Sequence, residues 1–386
     1  MAIIGAGIGG LTLAIALRRR GIRAAVYERA DELREVGAAV ALSANGTRVL
    51  HALGLRAPLD AASAVPTELI YRHWREGGRV ASFTAGEAYA ERFGSPYCGV
   101  HRADLQAVLA EACGPQDLHL DHRLVGISTE NRGHELEFAN GVVAHADLVV
   151  GADGVHSTTR RWVADAEPAA YSGTSGFRGL IHREEMPSLP DPDAIQFWMG
   201  PGAHVLHYPI GDGSFVNFLA VVDDPATWPG SSWVADVSPD LLREPFTGWH
   251  PGVREMIEAT SLHKRWALFG QSPLRRWHRD GIVLLGDAAH AMLPHHGQGA
   301  NQSIEDAATL ASLLHRFAPE QALPRYERLR RARTRAVQRS SWVASALLHL
   351  PDGPEADERD RRLAAIPDTL QWIHEHDAEA AANACG

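Results

Sequence analysis

Six residues near the start of the chain, Gly5-Ala6-Gly7-Ile8-Gly9-Gly10, have the spacing GxGxxG, and an acid, Glu28, follows eighteen residues after Gly10. Gly5, Gly7 and Gly10 permit a tight turn and let a pyrophosphate approach the N-terminus of a helix. Glu28 can bond ribose hydroxyls. This pattern points to dinucleotide binding, with a merely tight strand-to-helix turn as the alternative. The motif alone does not separate FAD from NAD.

Three later segments add to it. In His101-Arg102-Ala103-Asp104-Leu105-Gln106, Arg102 at a helix start can hold phosphate by a charge-assisted fork, or be an ordinary surface arginine. In Gly151-Ala152-Asp153-Gly154-Val155-His156-Ser157, Asp153-Gly154 reads as a turn, which in combination can support the dinucleotide from a second side. In GDAAHAMLPHHGQGANQSIEDA, from Gly286 to Ala307, Asp287 ends a buried strand, where its carboxylate could bond the ribityl hydroxyls of a flavin. The Gly297–Gly299 loop then opens a helix whose positive end could face the flavin N1–C2=O edge. Reduced flavin is anionic there, so the dipole would favour reduction. A nicotinamide has no such anionic site.

A further set could act on a substrate. In the strand His204-Val205-Leu206-His207-Tyr208-Pro209 side chains alternate, so His204 and Tyr208 share one face and His207 points away. A His and a Tyr placed so could orient and deprotonate a phenol; the plainer reading is sheet packing. Arg178 is a candidate anchor for a carboxylate or ring substituent, or else an inter-strand salt bridge. His296 and Gln298 lie in the glycine loop, where packing and catalysis are both open readings.

The elements that must position these groups follow from the pattern. Ala2-Ile3-Ile4 reads as a buried strand, Leu11 to Arg20 as a helix ended by Gly21, and Ile22 to Tyr27 as a second strand. Thr47 to Leu53 and His101 to Cys113 read as helices, and Asp147 to Val150 and Ile282 to Leu285 as short buried strands. Tyr171 to about Thr260 alternates β-rich runs with Pro/Gly turns. From Leu323 onward the chain is helical and charged, with LPDGPEADERD as a surface segment.

Composition sets limits. The 386 residues suit two intimately joined domains, and 45% hydrophobic with 22% charged residues is ordinary for a globular protein. A formal charge of −10 does not invite nucleic acid. Three cysteines, Cys98, Cys113 and Cys385, suit neither a disulfide framework nor a zinc site, so no metal is expected and a reducing cytoplasm fits. No apolar run suggests a membrane span, and the apolar start lacks the basic n-region of a signal peptide.

Taken in order, GAGIGG, HRADLQ, GADGVHS and GDAAHAMLPHHGQGANQSIEDA resemble the class A FAD-dependent aromatic monooxygenases, the p-hydroxybenzoate hydroxylase superfamily, over nearly the whole chain. The resemblance implies an α/β fold: a Rossmann-like FAD-binding domain of the GR2 type with an inserted, mainly β substrate domain and C-terminal helices. It divides the chain into residues 1–70, 98–168 and 265–335 for the FAD domain, 71–97 and 169–264 for the substrate domain, and 336–386 for a helical segment. It places Gly10, Glu28 and Arg29 at the adenosine half. Ala41, Arg102, Leu124, Asp287, Gly299 and Ala300 fall at FAD contacts, and Asp153-Gly154 at a motif tied to both FAD and NAD(P)H. It makes His204 a pocket residue, with Tyr208, Arg178 and Gln298 as further catalytic candidates.

The implied chemistry uses non-covalent FAD, NADH or NADPH, and O₂. Reduced flavin adds O₂ at C4a and the hydroperoxide transfers OH to a small phenolic or heteroaromatic ring. No nucleic acid or membrane partner is expected, and a homodimer is left open. Departures narrow the branch. The 6-hydroxynicotinate enzymes carry histidine where Ala41 stands. Gly37-Ala38-Ala39 is nearer the urate enzymes, yet those carry arginine at His204 and asparagine at Arg178. YSGTSGFRGLI and HVLHYP are nearer the salicylate and hydroxybenzoate branch. The alternatives are a related FAD-dependent enzyme (urate-type, natural-product tailoring, halogenase or reductase) and a dinucleotide-binding protein without turnover; the halogenase WxWxIP signature is missing.

Overall fold

The computed structural model describes residues 1–33, 39–129, 133–164, 169–224, 228, 233–365 and 370–385; Gly37 and Ala38 lie outside the described residues. Ala2–Ile4 is flanked by parallel neighbours, Ala25–Tyr27 and Val149–Gly151. Leu118–His119 and Ile282–Leu284 extend this sheet in parallel on either side, and His278–Arg279 closes one edge antiparallel. Parallel strands covered on both faces must be apolar along their length, and Ala2, Ile3, Ile4, Val149, Val150, Ile282, Val283 and Leu284 are all buried.

The first helix is Ile8–Arg18, so it begins three residues before the position expected from its leucines. The turn is only Gly5 to Gly7, and Gly9 and Gly10 belong to the helix. Gly10 is there because the helix grazes the turn: a Cβ on it would lie 2.1 Å from the Gly5 carbonyl oxygen. Leu11, Leu13 and Leu17 are fully buried, each contributing about 1.5–3 kcal/mol. The helix is thereby pinned between the parallel sheet and the long buried helix Gln298–Arg316.

A second, eight-stranded sheet runs in the order Val234–Asp236, Lys264–Gly270, Ala170–His182, Phe215–Asp223, Ala203–Ile210, Ile195–Gly200, Glu68–His73, Arg79–Thr84. All its pairs are antiparallel except Ile195–Gly200 with Glu68–His73. One face carries Phe177, Val205, Phe218, Ala220 and Trp198 and is covered by Leu242, Phe246, Trp249, Val253 and Met256. The opposite face carries Tyr71, Phe197, Met199, Leu206, Tyr208, Leu219 and Val221, and packs toward Ala41, Tyr97 and Leu293 of the nucleotide-side elements.

The chain closes with helices. Pro319–Leu348 is thirty residues long. The segment expected as plain surface forms most of a helix, Pro354–Ala365, which buries Ala356 and Arg359; Pro354 opens it, where a missing N–H costs nothing. Among the described residues no helix is long and apolar enough to cross a membrane.

His204, His207, His295 and His374 are all at most 3% exposed. Burial is the main cause that holds His207, His295 and His374 down at about 3 and His204 well below its usual 6.5. The unfolded chain takes up these protons near pH 6.5 while the folded chain does not, so the stability is present above 6.5 and is lost as the pH falls toward 3. Each group contributes up to about 1.4 kcal/mol per pH unit in that window. We expect the thermal midpoint to drop steadily from pH 7 to pH 5 in scanning calorimetry; a flat midpoint contradicts neutral burial of these rings.

Candidate active site

At the C-terminal ends of Ala2–Ile4 and Ala25–Tyr27 lies a cleft of about 520 Å³, bordered by Gly5, Gly7, Glu28, Arg29, Arg102, Leu124 and Asp153. Glu28 accepts from the Ala6 N–H at 2.8 Å through Oε2 and from the Ala30 N–H at 3.1 Å through Oε1. A carboxylate has about four acceptor positions, so Glu28 braces the turn and keeps capacity for a ligand. Gly5 has φ +109°, and a Cβ on it would lie 2.4 Å from the Ala152 carbonyl oxygen; around Gly7 nothing stands within 4 Å of such a Cβ. No side chain caps the helix that begins at Ile8, so its first N–H groups remain for an anion. Gly10 does not border the cleft; it is the packing glycine behind it.

Asp153 is turned into its own loop. Its Oδ1 accepts from Ser157 Oγ at 2.5 Å, and its Oδ2 from the N–H groups of Thr158 and Thr159 at 2.8 and 2.9 Å and from Thr159 Oγ1 at 3.0 Å. Asp287, by contrast, is exposed at the first position of the helix Asp287–His290. A Cβ on Gly299 would lie 3.9 Å from its Oδ1, and one on Gly297 would lie 3.5 Å from Ala41 Cβ. Ala41, Gly297, Gly299 and Asp287 therefore converge at the start of the helix Gln298–Arg316, next to Ala300. Burial lowers the Arg102 guanidinium while the Asp287 carboxylate pulls it back up.

Gln298 sits inside the protein. It is 1% exposed, and its amide is spent inside the protein. Oε1 accepts from Asn45 Nδ2 at 3.1 Å, and Nε2 donates to Ser43 Oγ at 2.9 Å. These bonds tie the glycine loop to Ser43 and Asn45. A larger network lay unseen in the sequence. Asp306 accepts from the Gly286 N–H at 2.9 Å, bonds His290 Nε2 at 2.6 Å and accepts from Arg330 Nε at 2.6 Å. Glu305 accepts from Asn45 Nδ2 and Arg333 Nε, each at 2.6 Å. Two adjacent acids in an otherwise apolar stretch of helix were the available signal, because such a pair can be buried only with partners.

On the second sheet, His204, Leu206 and Tyr208 share a face and His207 takes the other, where Trp198 Nε1 donates to it at 3.1 Å. Arg178 pairs with Leu219, which pairs with Leu206, so Arg178 stands on the His204 face two strands away. With strands about 4.8 Å apart, Arg178 and Leu206 are roughly 10 Å apart at Cα. Arg178 is lowered by burial and by the nearby Arg102, and Tyr208 opposes this. Its Nε has no partner, and among the described residues it makes no ion pair, so the inter-strand salt bridge is not what holds it. Its guanidinium lies 5.7 Å from the Trp266 ring centroid. Burial raises the Tyr208 phenol far above its usual value, so it stays protonated.

His204 is held neutral by burial, then by His349 and His295. Its Nδ1 bonds His349 Nε2 at 2.7 Å, and its ring lies 5.0 Å from that of His295. Neither nitrogen of His295 has a partner among the described residues. Such buried orphans call for a ligand or water. His295 also borders an apolar cavity of about 570 Å³ that runs between Tyr71, Phe197 and Met199 of this face and the C-terminal helices. His296 instead bonds Ser340 Oγ at 2.9 Å.

The family model described as "FAD binding domain" matches residues 1–341. Over 378 residues the chain is 40% identical to "3-amino-4-hydroxybenzoate 2-monooxygenase" of Streptomyces cremeus, covering 97% of this chain and 94% of that protein.

The chain belongs to the class A FAD-dependent aromatic monooxygenases.

It is also 34% identical over 378 residues to "3-hydroxybenzoate 6-hydroxylase 1" of Aquipseudomonas alcaligenes, covering 96% and 95% of the two chains. Its fold superposes on a salicylate hydroxylase in complex with substrate with a TM-score of 0.86 at 28% identity, over 99% and 96% of the chains. FAD is the cofactor of this monooxygenase, and the cleft fits it: the uncapped helix start, the open space at Gly7 and the cationic Arg102 suit a pyrophosphate.

The two aspartates separate in consequence. Asp287→Ala removes an open carboxylate that makes no side-chain hydrogen bond among the described residues. We expect weaker FAD retention, by about 1–3 kcal/mol, with an unchanged apoprotein melting point. Asp153→Ala deletes the loop's own bonds and is expected to lower that melting point. Fluorescence titration with FAD and calorimetry of the apoproteins check both; equal FAD affinities with equal melting points contradict the assignment.

Proposed function

We propose that this monooxygenase hydroxylates a small phenol that carries a carboxylate, a hydroxybenzoate or aminohydroxybenzoate, using NADH or NADPH and O₂. Arg178 carries this reading: it is a cation on the His204 face, near a second arginine, and no carboxylate among the described residues pairs with it. A desolvated cation without a counter-ion is costly, and a planar benzoate carboxylate suits a guanidinium fork.

In this reading the eight-stranded sheet is the substrate domain and the parallel sheet with its flanking helices is the FAD domain. Glu28 and Arg29 would hold the adenosine half, Arg102 the phosphates and Asp287 the ribityl chain, with Leu124 as a further contact in the cleft. Ala41 and the Gly299-Ala300 helix start flank the ring. FAD, once reduced by NAD(P)H, supplies the oxygen-activating chemistry. The chain's own residues do the rest. Arg178 anchors the carboxylate. His204 Nε2, free of any bond to the described residues, accepts the phenol proton and makes the ring more nucleophilic. Tyr208, always protonated, donates a hydrogen bond to orient the substrate. Leu206, Leu219, Val221 and Leu293 keep water out.

The test is product formed per NAD(P)H consumed, with H₂O₂ measured alongside, across hydroxybenzoates, aminohydroxybenzoates and the matching phenols without a carboxylate. We expect His204→Ala to keep FAD and its reduction, yet to slow the proton-assisted step on the order of 10²–10⁴-fold and divert O₂ to H₂O₂. Arg178→Gln should raise KM for carboxylated substrates by roughly 10²-fold and leave uncharged phenols unaffected. Unchanged coupling in the first, or equal KM effects on both substrate classes in the second, overturns the assignment.

A further inference from the structure

His204 is buried, and a proton given to it has to go somewhere. The ring is 1% exposed, and burial together with His349 and His295 disfavours its cation. An imidazole in that position can pass a proton on but cannot store one. A path leads away from it. His204 Nδ1 lies 2.7 Å from His349 Nε2, and His349 Nδ1 lies 2.6 Å from Asp223 Oδ1. Along this path the side chains open from buried, with His349 at 5% exposure, to solvent, with Asp223 at 55%. Among the described residues His295 makes no hydrogen bond through either nitrogen, so the chain of bonds between them does not branch there.

The geometry is built from three separated pieces of sequence. His349 follows the last residue of the thirty-residue helix Pro319–Leu348. Its carbonyl accepts from the Gly202 N–H at 3.0 Å, and the Gly202 carbonyl accepts from the Asp223 N–H at 2.8 Å. One hairpin end thus fixes both relay groups against the strand that carries His204.

The same bonds set the tautomers. A carboxylate only accepts, so His349 carries its proton on Nδ1 and offers the Nε2 lone pair. His204 must then carry its proton on Nδ1 and keep Nε2 bare toward the substrate.

We propose that His349 and Asp223 form a proton exit for the hydroxylation site. This rests on His204 being the base in the proposed function. The phenol O–H bond breaks and its proton goes to His204 Nε2. The Nδ1 proton of His204 passes to His349 Nε2, the Nδ1 proton of His349 passes to the Asp223 carboxylate, and Asp223 releases it to water. Each imidazole gains on one nitrogen what it loses on the other, so neither is left charged and the one charge that forms in the pocket is the phenolate itself. The groups facing His349 are His204 and His295 on the inner side and Asp223 on the outer. His349 and Asp223 do not touch the substrate; they act through His204.

The experiment is stopped-flow mixing of FAD-loaded protein with 3-amino-4-hydroxybenzoate in weak buffer with a pH-indicator dye, at a pH where the free phenol is protonated. Wild type should release a proton in a fast phase as the phenolate forms. Asp223→Asn keeps the acceptor geometry but cannot take the proton, so release should slow on the order of 10²-fold. Formate added to the solution should restore it, which a purely structural role would not permit. His349→Leu should lose the fast phase without rescue by formate. FAD content and melting point are measured on each. If His349→Leu fails to hold FAD, the exposed and isosteric Asp223→Asn decides. Wild-type release rates in Asp223→Asn, or slowed release that formate leaves unchanged, overturn the relay. His204→Ala separates the two claims. If its proton release is intact, the base assignment itself fails; if only His204→Ala loses release while both relay variants keep it, the base stands and the relay falls.

Discussion

The cofactor groove depends on one buried charge cluster. Arg330, 1% exposed, donates to Asp306 through Nε at 2.6 Å and to Glu305 through Nη1. Burial alone would raise Glu305, but Arg330 and Arg333 outweigh it and hold the carboxyl at about 2. Asp306 is likewise lowered despite burial, by His290 and Arg330. Each acid then reaches a different loop. Asp306 fixes the Gly286 N–H and with it the turn that presents Asp287. Glu305 fixes Asn45, and through it Gln298 and Ser43, so that Ala41 stands against Gly297. Removing one member of such a cluster leaves an uncompensated buried charge, at a cost of about 3–5 kcal/mol. The cluster is buried away from the groove surface, yet it sets where both walls of the groove stand.

The second sheet divides labour by strand alternation. One face is a dry aromatic core around Trp198, Phe218 and Trp249. The other, one residue out of phase, carries Arg178, His204, Leu206 and Tyr208. A register slip of one residue would exchange the two sets, burying a cation in the core. The nine pairs between Ala170–His182 and Phe215–Asp223, with the eight between Phe215–Asp223 and Ala203–Ile210, fix that register across the three strands. Which side chains share that face is therefore set by backbone pairing over a long stretch.

What the sequence disclosed and what it hid follow the range of the interactions. The glycine turn, Glu28 and the strand that ends before Asp287 are local patterns, and each stands where its spacing put it. Alternation along His204–Tyr208 is local too. The start of the first helix was read three residues late, because Gly9 and Gly10 look like turn residues and serve instead for close approach. Gln298 looked available because its loop is near the groove; only the positions of Ser43 and Asn45, more than 250 residues earlier in the chain, show that its amide is occupied. His349 lies 145 residues from His204 and has no local mark at all. Long-range polar partners are invisible in a single sequence, and the groups missed were of that kind.

The proposed reaction puts one oxygen atom of O₂ into a carboxylated phenol. The most direct measurement is the mass of the product formed from 3-amino-4-hydroxybenzoate and its hydroxybenzoate analogues by FAD-loaded protein with NAD(P)H under isotopically heavy O₂. The account predicts a hydroxylated product carrying one heavy oxygen atom, with NAD(P)H oxidation accelerated by the substrate that yields it. Oxygen arriving from water, or NAD(P)H oxidation that gives only hydrogen peroxide with every carboxylated phenol, would contradict it.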